Sequence, residues 1–213
     1  VIIGEPTNLN VYRGQRGRME LTIDVSGVSA HGAHCDRGDN AIYRMASVIG
    51  DIEALNARLP VRPLLGKGSV TISKIESHSP SLCSVADGCR IYLDRRLTTG
   101  ETIESVLDEL NALPSVRENG ASVRIREYHG VSWTGMECTQ ECYFPTWVLD
   151  DTHPLVECGL AAAAKVCPAP PELGVWTFST NGVSTMGRYG IPTIGFAPGR
   201  EELAHSVDEQ VSI

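Results

Sequence analysis

Along residues 20–25, ELTIDV, apolar and polar side chains alternate, with Leu21, Ile23 and Val25 on one face. A period of two predicts a half-buried strand. After a loop carrying two histidines, Asp39 or Asn40 can cap a helix. In it Ile42, Met45, Ile49, Ile52 and Leu55 recur at three- and four-residue spacing, and Pro60 and Pro63 end it. VTISKI (70–75) and CRIYLD (89–94) read as two more strands, separated by a polar turn region with Pro80 and Gly88. In TGETIESVLDELNAL, Ile103, Val106, Leu107 and Leu110 form one helical stripe, and Thr98 with Glu101 marks a capping box at its start. ASVRIRE (121–127) follows as a strand with Val123 and Ile125 facing in. Strand, helix, strand, strand, helix, strand is the split βαβ, ferredoxin-like order. At about 110 residues the block is long enough for a core of its own.

The flanks have another character. Residues 1–16 are expected to hold the end of one strand and a connector. From residue 133 onward tryptophan and proline punctuate the chain: HPLVECGLAAAAKVC (153–167) reads as a helix, STNG (179–182) as a glycine-containing turn, and IPTIGF (191–196) as a buried strand. Similar flanks around a compact block predict one domain inserted into another. The expected division is 1–16 and 132–213 for the outer domain, its last helix cut short, and 17–131 for the insert.

Composition narrows the function. The chain is 42% hydrophobic and 21% charged, with no apolar run long enough to span a bilayer. Its net charge of −8, with no basic stripe, excludes a nucleic-acid partner, which needs clustered Lys and Arg to neutralise phosphate. Seven cysteines (35, 83, 89, 138, 142, 158 and 167) are scattered, with no Cys-x-x-Cys pair. They read as reduced thiols of a cytoplasmic protein. No charged segment followed by an apolar core opens the chain, so no signal peptide is expected. The start inside an apolar run, VIIGEP, reads as a piece of something longer.

Three stretches carry candidate chemistry. In GEPTN (4–8), Glu5 stands at the end of an apolar strand, where open α/β sheets place their ligands. In GFAPGREELAHSVDEQV (195–211), His205 follows a buried strand and loop and precedes Ser206, which with Glu209 forms a capping box for a helix. A histidine held beside a helix start can serve a metal. Taken singly, Glu5 reads first as a turn-capping residue and His205 as a hydrogen-bonding one. In SAHGAHCDRGDNA (29–41), His31, His34 and Cys35 offer three zinc donors within five residues, but no fourth stands nearby. Loop packing is the plainer reading, and His78, His129 and His153 read as surface or loop residues.

Taken together, GEPTN, RGQRG, SAHGAHCDRGDNAI, DRRLTTGET, STNGVSTMG, GFAPG and AHSVDE resemble, in this order and spacing, the acetylornithine deacetylase, succinyl-diaminopimelate desuccinylase and carboxypeptidase-type metallohydrolases. The resemblance covers nearly all 213 residues. YFPTWV and WTFSTNGVS are similar to a branch of hydrolases linked to selenium metabolism. The implied fold is α/β: part of a zinc-exopeptidase-like catalytic domain with an inserted ferredoxin-like (βαββαβ) lid and dimerisation domain. The implied cofactors are two divalent metal ions, zinc or alternatively cobalt or manganese. Glu5 matches the glutamate that binds one ion and His205 the histidine that binds the other. His31 matches the lid histidine that reaches into the partner subunit's site and steadies the tetrahedral oxyanion, which leaves His34 and Cys35 without assigned chemistry. Arg96 matches the lid arginine that contacts the substrate carboxylate, and Thr180, Asn181 and Gly182 match the substrate-binding turn. One departure stands out: Cys83 occupies a place where many relatives carry asparagine.

The resemblance further implies that the first metal histidine, a bridging aspartate and an adjacent glutamate pair, one of them the general base, lie upstream of GEPTN. The chain is therefore expected to be an inactive C-terminal fragment of a homodimeric enzyme, ending one turn into its last helix. The expected reaction of the whole is metal-assisted hydrolysis of the amide in an N-acyl or N-carbamoyl amino acid or small peptide, with no membrane partner. A dipeptidase or carboxypeptidase of the same family is one alternative, and a non-catalytic dimerisation or binding module is the other.

Overall fold

The computed structural model describes residues 1–211. In chain order, β1 (Ile2–Ile3) and β2 (Val11–Gln15) lead into β3 (Gly17–Ser26), helix α1 (Ala41–Arg58) and a small hairpin, β4 (Val61–Arg62) with β5 (Gly66–Lys67). The long strands β6 (Ser69–His78) and β7 (Gly88–Leu97) follow, then α2 (Ile103–Asn111), α3 (Pro114–Glu118) and β8 (Ser122–Ile125). The chain continues through β9 (Glu127–Val131), β10 (Glu137–Glu141), β11 (Tyr143–Phe144), β12 (Trp147–Val148), α4 (Pro154–Ala163), β13 (Leu173–Trp176) and β14 (Ile194–Gly195). Among the described residues no helix is long and apolar enough to cross a membrane.

The block between the flanks is a mixed α/β layer built as expected. Its sheet runs β8-β3-β7-β6, every pair antiparallel, and β11 continues β8's edge at the start of β3. The alternation in β3 and β7 sends Met19, Leu21, Ile23, Cys89, Ile91 and Leu93 to one face, where α1 and α2 cover them. The other face is polar and carries Arg18, Glu20, Asp24, Arg90, Asp94 and Arg96.

Several boundaries differ from the sequence reading, each for a local reason. Asn40, not Asp39, caps α1: its Oδ1 accepts from Ile42 N at 2.9 Å, while Asp39 pairs with Arg44. The cap sets the phase so that Ala41, Met45, Val48, Ile52 and Leu55 are buried, and Ile42, one step round the helix, is 40% exposed. The expected Thr98–Glu101 box is displaced. Thr102 caps α2, exchanging hydrogen bonds with Ser105 (3.2 and 2.8 Å). Glu101 keeps half of the expected box, its Oε2 accepting from Thr98 N at 2.6 Å, while its Oε1 accepts from the fully buried Arg95, which also meets Glu109 at 3.4 Å. A buried guanidinium without such partners would be costly. Helix α3, unforeseen, starts on Pro114, the residue whose missing N–H costs least at a first helical position. The expected strand 121–127 stops at Ile125, because Cys142 takes the place beside Glu20 and the chain turns into the β9–β10 hairpin.

The flanks form a second sheet and core. Strand β1 pairs parallel with β14, β14 antiparallel with β2, and β12 and β13 also border β2. Val11, Leu149, Val156, Ala163 and Ile194 are buried together between this sheet and α4. Strand β2 lies where a connector was expected, and β13 was not expected at all. The strand expected over 191–196 shrinks to Ile194–Gly195, since Pro192 has no N–H to give a ladder. Gly195 packs beneath Trp176 so closely that a Cβ would sit 1.9 Å from the indole. Helix α4 stops at Ala163, short of Cys167 and the prolines beyond it, and His153 is its cap, accepting from Leu155 N at 3.1 Å. The helix expected after His205 is absent from residues 206–211, which run through turns. Glu209 accepts from His205 N at 3.0 Å, one residue too early to complete a box on Ser206. The last residues of that expected helix, 212 and 213, lie outside the described residues.

Candidate functional site

A cavity of about 710 Å³ opens where the polar face of the inserted sheet meets the outer sheet's loops. Glu5, Arg96, Thr180, Asn181 and His205, all singled out in the sequence, line it. Arg18, Gln140 and Phe144, which were not, line it too. Glu5 leaves the end of β1 and is held by its neighbours: Pro6 O accepts from Trp176 Nε1 at 3.0 Å, and Thr7 exchanges hydrogen bonds with Ala197. The 180–182 turn hangs on Gln15, which is fully buried in β2. Its Oε1 accepts from Thr180 N (2.9 Å) and Thr180 Oγ1 (2.6 Å), and Thr180 Oγ1 in turn accepts from Gly182 N (3.0 Å). Gly182 lies against Trp147, where a Cβ would come within 2.6 Å of the ring. No sequence pattern marks Gln15: β2 reads VYRGQ, and the burial of this amide becomes visible only once β2 is known to be a strand.

On the inserted sheet, Arg96 is held by Asp94 through two hydrogen bonds of 2.7 and 3.0 Å. Arg18 is its direct partner across the β3–β7 ladder, and the Arg18 guanidinium lies 4.5 Å from the centre of the Phe144 ring. Behind the opposite wall, burial first and Glu201 and Glu202 next push the Tyr12 phenol above its ordinary pKa, so it stays neutral at physiological pH.

Glu5 and His205 are the metal candidates, and their donor chemistry, one carboxylate and one imidazole on the walls of one cavity, fits divalent ions. They are two donors, however, and no three His, Cys, Asp or Glu side chains converge on a metal position among the described residues. The remaining ligands of a catalytic site would have to come from elsewhere.

His31 does not line this cavity. It sits exposed on a 3₁₀ turn, its Nδ1 accepting from Ala33 N at 3.1 Å. That bond places the proton of the neutral ring on Nε2. Its loop is fastened to residues 83–85, with Gly32 N donating to Cys83 O at 2.7 Å and Val85 N to Ala30 O at 2.8 Å. The His31 and His34 rings are 6.4 Å apart and tilted, and Cys35 is exposed. His78 pairs with Asp87 at 2.6 Å, and His129 approaches Thr139 at 3.1 Å, both exposed.

Residues 13–119 match the peptidase dimerisation domain of the M20 class. YgeY of Escherichia coli is 50% identical over 210 residues, 99% of this chain and 52% of that protein. The acetylornithine deacetylase of Edwardsiella ictaluri is 27% identical over 223 residues, 99% of this chain and 51% of its own length. The chain thus spans about half the length of the curated relatives it matches. Among solved structures, aminopeptidase PepT from Bacillus cereus superposes with a TM-score of 0.68 over 97% of this chain and 50% of its own, a likeness of fold at 17% identity.

Proposed function

The chain belongs to the family of that peptidase dimerisation domain, and from this premise we propose that it is part of a metal-dependent amidohydrolase. The substrate on this reading is an N-acyl or N-carbamoyl amino acid or a small peptide, cleaved at its amide. Residues 17–131 are the inserted lid and dimerisation domain, and 1–16 with 132–213 belong to the catalytic domain. The observation that carries the reading is one cavity: Glu5, Arg96, Thr180, Asn181 and His205 come from distant parts of the sequence and line it together.

Glu5 and His205 would each hold one of two divalent ions, zinc or alternatively cobalt or manganese. Bound there, such ions supply a polarised scissile carbonyl and an activated water. Arg96, kept rigid by Asp94, receives the substrate carboxylate, and the Thr180–Asn181–Gly182 turn, fixed by Gln15, orients the amide. His31 is exposed and does not line its own cavity, and its Nδ1 is engaged by Ala33 N. This supports a role for it in the site of a second copy, where it would donate to the developing oxyanion.

The test uses the longest natural polypeptide containing these residues, supplied with zinc, cobalt or manganese and a panel of N-acyl amino acids, N-carbamoyl amino acids and dipeptides. Turnover is expected. Glu5→Ala and His205→Ala should each lower bound metal and reduce kcat/KM by about 10²-fold or more, the rate equivalent of the several kcal/mol a metal contributes. Unchanged metal content in both variants would refute the two ligands. Silence across the panel would favour a non-catalytic dimerisation module, the second reading, in keeping with the match of residues 13–119 to a dimerisation domain.

A further inference from the structure

Arg18 and Arg96 stand directly opposite each other in an antiparallel ladder, so both side chains leave the same face of the sheet. Their Cβ atoms are then about 5 Å apart, and like charges so placed destabilise a sheet. Both line the cavity that also holds Glu5 and His205. The next pair along this face, Glu20 and Asp94, relieves the repulsion unequally. Asp94 grips Arg96 with two hydrogen bonds, whereas Glu20 comes only within 3.4 Å of Arg18 and lies nearer Arg126, at 2.7 Å. Arg18 Nε is buried with no hydrogen-bond partner. The Phe144 ring supports the guanidinium from its face and so occupies none of its donors. The cavity's other carboxylates are engaged elsewhere, Glu201 with Thr177 and Glu209 with His205 N.

From this we infer that Arg18 and Arg96 form a two-point anion clamp, and that the preferred substrate carries a second carboxylate besides the one Arg96 receives. A guanidinium presents its donors in a planar fork that matches a carboxylate, and two forks side by side match a short dicarboxylate. The Arg18 side chain is partly exposed at the cavity wall, and beyond the 3.4 Å approach of Glu20 its terminal nitrogens have no carboxylate partner there. The bound anion would neutralise the pair that the ladder register forces together. As a statement about turnover the inference rests on the amidohydrolase reading; as a statement about binding it does not.

Two measurements test it separately. In the first, this chain is titrated calorimetrically with glutarate and with butyrate. Glutarate should bind more tightly, and Arg18→Gln should weaken it by about tenfold to a hundredfold, the loss expected for hydrogen bonds to a charged group, and butyrate by a smaller factor. Arg18→Lys, which keeps the charge and loses the fork, should fall between the two. In the second, the longest natural polypeptide is assayed with N-acetylglutamate against N-acetylglutamine and N-succinylalanine against N-acetylalanine. Arg18→Gln should raise KM for the doubly charged member of the preferred pair by about tenfold or more, with kcat and the singly charged member little changed. Glutarate affinity equal in wild type and Arg18→Gln overturns the clamp. Should the Gln variant fail to fold, unchanged glutarate affinity in Arg18→Lys does the same. If no amide is hydrolysed, the reaction reading fails while the titration still decides the clamp.

Discussion

Gln15 shows how one side chain holds the site's shape. Its amide oxygen is the acceptor for both Thr180 donors, inside a strand where neither could find water. Replacing it by leucine, of similar volume, removes that acceptor and leaves two buried donors open. Each such donor costs about 1–3 kcal/mol, so Gln15→Leu should lose up to about 6 kcal/mol, less what is regained by removing Gln15 Nε2, itself buried without a partner. A fall in the urea midpoint at unchanged slope would show this, whereas wild-type stability would mean the turn is held by its own backbone. Glycine matters here for the same steric reason: at Gly182 and Gly195 an indole occupies the space a Cβ would need.

At the scale of elements, helix packing contains a pH-dependent fastening. Asp51 on α1 accepts from Ser115 Oγ at 2.6 Å and Ser115 N at 3.0 Å, joining α1 to the start of α3. The Ser115 hydroxyl first, and its backbone N–H next, hold the Asp51 carboxyl below the usual carboxylate range. A carboxyl whose folded pKa is depressed stabilises the fold above its unfolded pKa and loses that contribution as pH falls through the folded value. Asp51→Ala should therefore be less stable than wild type at pH 7, and the gap should be smaller at about pH 3, below the unfolded carboxylate pKa of roughly 3.9. Denaturant unfolding at both pH values measures it; a gap of equal size at each would mean that the ionised form plays no part. The alternation of β7 is equally decisive for function, since it buries Arg95 among carboxylates and turns Arg96 to the cavity.

For the whole molecule, the placement of His31 outside its own cavity sets up a test between subunits. On the proposed reading, His31→Ala in the longest natural polypeptide lowers kcat by about 10²–10³-fold, as for the loss of an oxyanion donor, and leaves bound metal unchanged. Mixing His31→Ala subunits with Glu5→Ala subunits and letting them exchange should restore activity. In a mixed dimer, the site with an intact Glu5 receives an intact His31 from its neighbour. If subunit exchange is verified and activity stays lost, the histidine serves its own chain.

The sequence by itself determined the inserted α/β layer. Its strands and helices have faces buried against one another, so period-two and three-to-four spacings survive as readable patterns in residues 20–25, 41–55 and 103–110. Motif order pointed to the family, which the matched domain bears out. What only the tertiary structure decided is the environment of single polar groups. Glu101 divides its two oxygens between Thr98 N and Arg95, because a buried cation needs a carboxylate, while Thr102 caps the helix. Cys142 ends β8 by occupying its edge. Strands β2 and β13, which no local pattern foretold, pair only with each other and with segments far away in the chain. The same holds at the cavity, where register alone sets Arg18 opposite Arg96 and burial alone leaves one Arg18 donor open. Pairing and burial are properties of residues far apart in the chain, and no local pattern encodes them.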